Sequence, residues 1–296
     1  MPEIMYRPPF EAGSFLLEVT KSCSHNRCSF CTMYRDVPFR VISMEEVEGQ
    51  IRDAVPYAAY IDRVFLENGD AFVLSADKLI EIAELIHMYL PRVETIAMYA
   101  SIKNIQGKTD DELKALRQLG INELNIGVES GLDEALEYMN KGYTCEEAVY
   151  QLNRLKKACM DYGANIILGC AGPNLRKENA LATAKLLNET KPYLIFTGTL
   201  HADPGCPLYE DMKNGSFIEN TFGEYLEEEE ILLSQLQLDD CYYFGLHPSN
   251  VVTMHGTLKK DMDKLMHEIS RKREALKGRL DERPVRTGEG AIINML

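Results

Sequence analysis

No window of this 296-residue chain approaches the roughly 18 consecutive apolar residues of a membrane span. The opening MPEIMYRPPFEAGSF puts acids, an arginine and prolines where a secretory signal needs a basic end and an apolar run, so a soluble, cytoplasmic protein is expected. Basic charge is scarce: 32 lysines and arginines face 46 aspartates and glutamates, a net charge of −14. Such a field repels polyanions and argues against general nucleic-acid or anionic-membrane binding. Eight cysteines are too few for a secreted disulfide scaffold. There is no low-complexity tract, and no G-x-S-x-G elbow, Walker loop or HExxH helix, which disfavours a hydrolase. What remains, 45% hydrophobic and 26% charged residues, is ordinary for a globular protein with a sizeable core.

The hydrophobic pattern alternates. Short apolar strands are expected at Phe15–Thr20, Arg63–Leu66, Thr95–Tyr99, Glu123–Val128, Asn165–Leu168 and Tyr193–Gly198. Helical spacing fills the intervals at 44–59, 75–89, 109–119, 144–162 and 178–189. Ser43 with Glu46, Thr109 with Glu112 and Thr144 with Glu147 are spaced as capping boxes, and Gly120 and Gly163 read as stops. Strict βα alternation with short strands demands parallel pairing through right-handed crossovers. The expected fold is therefore α/β, a partial (β/α)6 barrel of parallel strands. A core over 1–217 is followed by a mainly helical C-terminal extension over 218–296, with an acidic stretch at Glu224 and Glu227–Glu230, a loop at Phe244–Ser249 and a helix over 257–280. Function in such folds sits at the strands' C-terminal ends. The unusual residues fall there: the cysteine loop after strand one, Asn68–Asp70 after two, Ser101 after three, Glu129–Gly131 after four, Gly169 after five and His201 after six.

The first of these loops, Lys21-Ser22-Cys23-Ser24-His25-Asn26-Arg27-Cys28-Ser29-Phe30-Cys31, holds three thiols with four and then two residues between them. Thiolates are soft ligands for iron or zinc. Three cysteines on a [4Fe–4S] cluster would leave one iron open to bind something else. With His25 as a fourth ligand the loop would instead make a Cys3His zinc site. The loop's place at the mouth of a large α/β domain favours the cluster, since structural zinc mostly staples small modules.

At this point the sequence resembles the radical S-adenosylmethionine (SAM) enzymes, over about Phe15 to Phe217. In that family a CxxxCxxC loop after the first strand binds a [4Fe–4S] cluster whose open iron chelates SAM. The resemblance assigns Cys23, Cys28 and Cys31 to the metal and Phe30 to the aromatic position before the third cysteine; the spacing here, Cx4CxxC, has one extra residue. It further assigns Asn68, Gly69 and Asp70 to a turn receiving the SAM amino group. Ser101 and His201 are placed at the same cofactor mouth. Asn125–Gly131 resembles the segment of the branch that includes oxygen-independent coproporphyrinogen oxidases and methylthiotransferases, which puts Glu129 and Ser130 near the ribose and methionine of SAM. Lys141 would pair with the SAM carboxylate, Gly169 would lie on the adenine side, and Asp203–Tyr209 resembles the turn after strand six.

The implied reaction is reductive cleavage of SAM to a 5′-deoxyadenosyl radical that abstracts hydrogen from a substrate, with a low-potential donor such as flavodoxin or ferredoxin as partner. A small metabolite or tetrapyrrole-like compound is the expected substrate class. Tyr99, His201, Tyr242, Tyr243 and His247 are candidate groups beside it, and Cys170 and Cys206 read as buried thiols. Two rival readings stay open: an RNA-modifying radical enzyme using the basic 271–286 segment, and a non-catalytic zinc-stapled protein binding a partner through the acidic 224–230 segment.

Overall fold

The computed structural model describes residues 6–286. The last ten residues of the expected extension, 287–296, lie outside the described residues, as do 1–5. In chain order the elements are β1 (Phe15–Glu18), β2 (Thr20–Lys21), β3 (Arg40–Val41), α1 (Met44–Ala54), β4 (Arg63–Glu67), α2 (Ala76–Tyr89), β5 (Thr95–Ala100), α3 (Ile102–Gln106), α4 (Asp110–Gln118) and β6 (Leu124–Glu129). They continue with α5 (Asp133–Tyr138), α6 (Cys145–Lys157), β7 (Tyr162–Leu168), α7 (Arg176–Thr190), β8 (Leu194–Thr199), α8 (Pro207–Asn214), α9 (Phe222–Gln235), β9 (Tyr242–Gly245), β10 (Met254–Thr257) and α10 (Met262–Ala275). The six expected strands are β1, β4, β5, β6, β7 and β8.

The main sheet follows the order β1-β4-β5-β6-β7-β8-β9-β10, with β2-β3 a separate antiparallel ribbon. Pairing is parallel for β1·β4, β4·β5, β5·β6, β7·β8 and β8·β9, and β10 joins β9 antiparallel. Strand order that repeats chain order is the winding of a barrel-type sheet; a doubly wound sheet reverses direction partway.

The chain divides into two compact units. Among the described residues one comprises 6–26, 34–126 and 150–162. Its core includes Leu17 of β1, Leu66 of β4 and Met98 of β5, which share one face of the sheet, Phe65 on the other face, Ile51 of α1 and Leu79, Ile82 and Ile86 of α2, each almost fully buried. Burying each such side chain contributes about 1.5–3 kcal/mol. The capping boxes at Ser43–Glu46 and Thr109–Glu112 are both present, each hydroxyl accepting from the third backbone N–H. The other unit comprises 27–33, 127–149 and 163–286. There Ala135, Met139, Cys170, Leu200, Cys206, Leu208 and Phe217 form one apolar cluster with Phe30 against it, so both thiols are buried.

Two expectations need correcting. The helix expected over 144–162 stops at Lys157: Cys159 takes the left-handed conformation (φ 57°), Met160 N–H closes on Leu155 O, and Gly163 lies inside β7. The Phe244–Ser249 loop begins as strand, because Tyr242–Gly245 pairs with β8 and the extension adds two strands to its helices. The acidic run at 224–230 turns two of its carboxylates inward. It lies in α9, capped by Thr221 with Glu224, and Glu228 and Glu229 are each only 1% exposed.

Candidate functional site

In the first unit, β4 ends in a turn that holds the start of the cysteine loop. Asn68 adopts a left-handed backbone (φ 75°), and its side-chain amide donates to Thr20 O at 2.8 Å. Gly69 N–H donates to Ser22 O at 3.2 Å. A Cβ on Gly69 would lie 2.6 Å from Cys23 Cβ and 2.9 Å from Cys23 Cα, so only glycine allows this approach. Asp70 accepts from Ser24 N–H at 2.9 Å and from Ser24 Oγ–H at 2.5 Å. Burial pushes the Asp70 carboxyl above its ordinary value, and the bonds from Ser24 pull the other way. The Asn-Gly-Asp turn therefore clamps Ser22–Ser24 and fixes Cys23. Just before it, Thr20 Oγ1 and Ser22 Oγ are buried without a hydrogen-bond partner, which suits a polar group arriving from outside the chain. Ser101 is engaged as the cap of α3: its hydroxyl accepts from Asn104 N–H at 3.2 Å, and its N–H donates to Asn104 Oδ1 at 2.8 Å. Tyr99 packs edge-on against Phe65.

The second unit holds the rest of the loop. Ser29 N–H donates to Met139 O at 3.1 Å and its hydroxyl to Tyr138 O at 2.7 Å, while Leu208 N–H at the start of α8 donates to Ser29 O at 3.0 Å. These bonds set Cys28 and Cys31, both half-buried, on either side of Phe30. Lys141 Nζ lies 5.9 Å from the Phe30 ring centroid and 2.9 Å from Glu129 Oε1. Glu129 ends β6 in the left-handed region (φ 64°), a strain that non-glycine residues accept when a specific contact holds them. Burial works against the Lys141 charge, and Glu129, with Tyr143 and Cys28, outweighs it, so the ammonium is held protonated. Burial raises the Cys31 thiol, while its hydrogen bond from the Met33 backbone and the Lys141 charge act in the opposite sense. A cation beside half-buried thiols is the setting in which thiolate ligands form.

Ser130 and Gly169 lie at the ends of β6 and β7. Ser130 Oγ–H donates to Asn179 Oδ1 at 2.5 Å, and Gly169 N–H donates to Glu228 Oε2 at 3.0 Å. Gly169 has φ 84°, and a Cβ there would strike the Tyr225 ring at 2.3 Å. His201 Nε2 stands 3.5 Å from Asp203 Oδ2; burial lowers the imidazole and Asp203 opposes it. Tyr243 is buried and donates to Glu229, Tyr242 bonds His255, and His247 bonds Ser249. Sequence reasoning missed Asn179, Glu228 and Tyr225, all of which meet these strand ends from other elements.

Among the described residues no three His, Cys, Asp or Glu side chains converge as ligands of one metal ion would. Among the described residues no helix is long and apolar enough to cross a membrane.

Comparison with known proteins places this arrangement. The Radical SAM superfamily profile matches residues 17–189. The heme chaperone HemW of Bacillus subtilis (strain 168) is 22% identical over 185 residues, which are 62% of this chain and 48% of that protein. The chain thus spans about half the length of the curated relative it matches. Coproporphyrinogen III oxidase (HemN) from Escherichia coli superposes with a TM-score of 0.52 and 16% identity, covering 75% of this chain and 50% of that one. The radical SAM methyltransferase TsrM from Kitasatospora setae, solved with cobalamin and a [4Fe–4S] cluster, gives a TM-score of 0.55 and 16% identity over 69% of this chain and 40% of its own. These structures share a parallel-sheet, partial-barrel fold with this chain. The chain belongs to the Radical SAM superfamily. The cofactors of that superfamily are a [4Fe–4S] cluster and SAM.

Proposed function

We propose that Cys23, Cys28 and Cys31 hold the [4Fe–4S] cluster, and that the chain uses it to start hydrogen abstraction from a small molecule. The observation that carries this reading is the investment of the strand ends in the cysteine loop: Gly69 and Asp70 grip Ser22–Ser24, and Lys141 lies beside the thiols at Cys28 and Cys31. When bound, the cluster supplies the electron that cleaves SAM. The chain's own part is to orient and shelter. Asn68, Gly69 and Asp70 would receive the SAM amino group, Lys141 its carboxylate, Glu129 and Ser130 its ribose and methionine, and Gly169 its adenine. Phe30 covers the apolar side, and Ser101 and His201 complete the mouth.

Residues 1–217 form the catalytic core in this reading and 218–296 its cap. A flavodoxin or ferredoxin in the cytoplasm provides the electron. A small metabolite or tetrapyrrole-like compound is the substrate class in this reading, and two similar proteins are named for tetrapyrroles, a heme chaperone and coproporphyrinogen III oxidase. The RNA reading loses its footing because the basic residues of 271–286 pair with acids of the same chain: Arg271 with Glu268, Arg273 with Glu230, Arg279 with Glu282 and Arg286 with Glu219.

The test is anaerobic purification, assay of iron, sulfide and zinc, then dithionite and SAM with detection of 5′-deoxyadenosine. About four irons per chain and nucleoside formation are expected, with both lost in Cys28→Ala while the chain stays folded. Zinc in place of iron with no cleavage, or nucleoside from Cys28→Ala, would overturn the assignment.

A further inference from the structure

Helix α9 carries an acidic run, and its period turns Glu228 away from solvent until it is 1% exposed. No lysine or arginine bonds it. Its carboxylate instead accepts three donors: Asn179 Nδ2 at 2.8 Å on Oε1, and Gly169 N–H at 3.0 Å and Asn220 Nδ2 at 2.9 Å on Oε2. Asn179 passes the chain onward, since its Oδ1 accepts from Ser130 Oγ–H at 2.5 Å, and Ser130 Oγ accepts from Leu132 N–H at 2.8 Å. Ser130, Asn179, Glu228 and Asn220 are all at or below 2% exposure. One buried run of hydrogen bonds therefore joins the turn after β6 to the turn after β7 through a side chain of α9.

Packing alone does not account for a carboxylate here. Burying one without a cation is costly, and an apolar residue would hold α9 to α7 more cheaply. Asn220 even leaves its own buried Oδ1 without a partner while donating to Glu228. What a carboxylate offers, and an amide does not, is acceptance of three donors without presenting one. That property dictates the direction of every bond in the run: it aims Gly169 N–H inward to α9, orients the Asn179 amide, and so fixes the Ser130 hydroxyl.

We propose that Glu228 is a positioning residue of the SAM site, which through Gly169 directly and through Asn179 and Ser130 in relay sets the two strand-end segments that receive SAM. This rests on the placement of Ser130 and Gly169 beside SAM argued above. Burial pushes the Glu228 carboxyl up to about 7 against the pull of its three donors, as expected of an acid retained for its bonds and not for an ion pair.

The run can be reversed chemically, which gives a sharp test. In Glu228→Gln the new NH2 must face either Asn179 Nδ2 or the Gly169 and Asn220 donors. In Asn179→Asp two carboxyl groups face each other and either repel or share a proton, so the donor that Asn179 Nδ2 gave to Glu228 is lost. In the double variant every bond is satisfied again: the glutamine amide donates to the aspartate, its oxygen accepts from Gly169 and Asn220, and the aspartate's other oxygen accepts from Ser130. The measurements are the dissociation constant for SAM by anaerobic equilibrium dialysis of the reconstituted enzyme, iron per chain, and the thermal midpoint. Each single variant is expected to bind SAM roughly ten- to hundredfold more weakly with iron content unchanged, and the double variant to recover wild-type affinity. Single variants that melt lower yet bind SAM like wild type would reduce Glu228 to a staple for α9 and overturn the proposal. So would a double variant no better than the worse single one. If a single variant does not fold, the double variant alone decides by the same criterion. A wild-type chain that holds its cluster yet does not bind SAM would overturn the proposed function itself, and this inference with it.

Discussion

Gly69 is the position where one added carbon has the largest consequence. Its missing Cβ is the space occupied by the Cα and Cβ of Cys23, and backbone cannot yield as a long side chain can. Gly69→Ala should therefore displace Cys23 and strip most of the iron while the rest of the chain keeps its circular dichroism; anaerobic reconstitution followed by iron assay is the check. Retention of full iron would show that the loop tolerates the shift. Lys141 and Glu129 are a second residue-scale case. Each side chain is at most 11% exposed, so removing one partner leaves the other buried and uncompensated. Lys141→Met should cost about 3–5 kcal/mol in a denaturant titration, with much of it regained in Glu129→Gln/Lys141→Met. Equal losses in the single and double variants would mean that the pair is not the source of the cost.

At the scale of elements, α9 makes a prediction about pH. Burial raises the Glu229 carboxyl from 4.5 to about 8, with Glu228 adding repulsion and the Tyr243 hydroxyl opposing. Between those values the folded chain keeps a proton that the unfolded chain has released, so stability falls as pH rises from about 4.5 to about 8 and levels off above. Glu229→Gln imitates the neutral acid and still accepts from Tyr243. Its stability should match wild type near pH 5 and exceed it by about 2–4 kcal/mol near pH 9. Parallel curves for the two proteins would show that Glu229 does not titrate on unfolding. Helix α6 teaches a related lesson: Cys159 ends the helix in the left-handed conformation, a role that sequence habit assigns to glycine.

For the whole molecule, charge is the decisive quantity. The net −14 is set against a basic segment at 271–286 in which four of the five arginines, Arg271, Arg273, Arg279 and Arg286, pair with acids of the same chain. A gel-shift assay with bulk tRNA at physiological salt should show no retention. Salt-sensitive binding that vanished on charge reversal of Arg271 and Lys272 would restore the RNA-modifying reading.

The order of strands and helices, the capping boxes at Ser43 and Thr109, the parallel sheet and the cysteine loop were all legible in the sequence. Each depends on residues a few positions apart, where periodicity and cap spacing act directly. The tertiary structure alone decided what the polar groups at the strand ends bond to. Ser130 meets Asn179 across 49 positions, Gly169 meets Glu228 across 59, and Asp70 meets Ser24 across 46. Two carboxylates of the acidic run of α9 are inside because the helix period turns them there, where amide and hydroxyl donors of distant elements receive them. Local pattern set the frame of the site, and long-range hydrogen bonding, which no window of sequence contains, set its geometry.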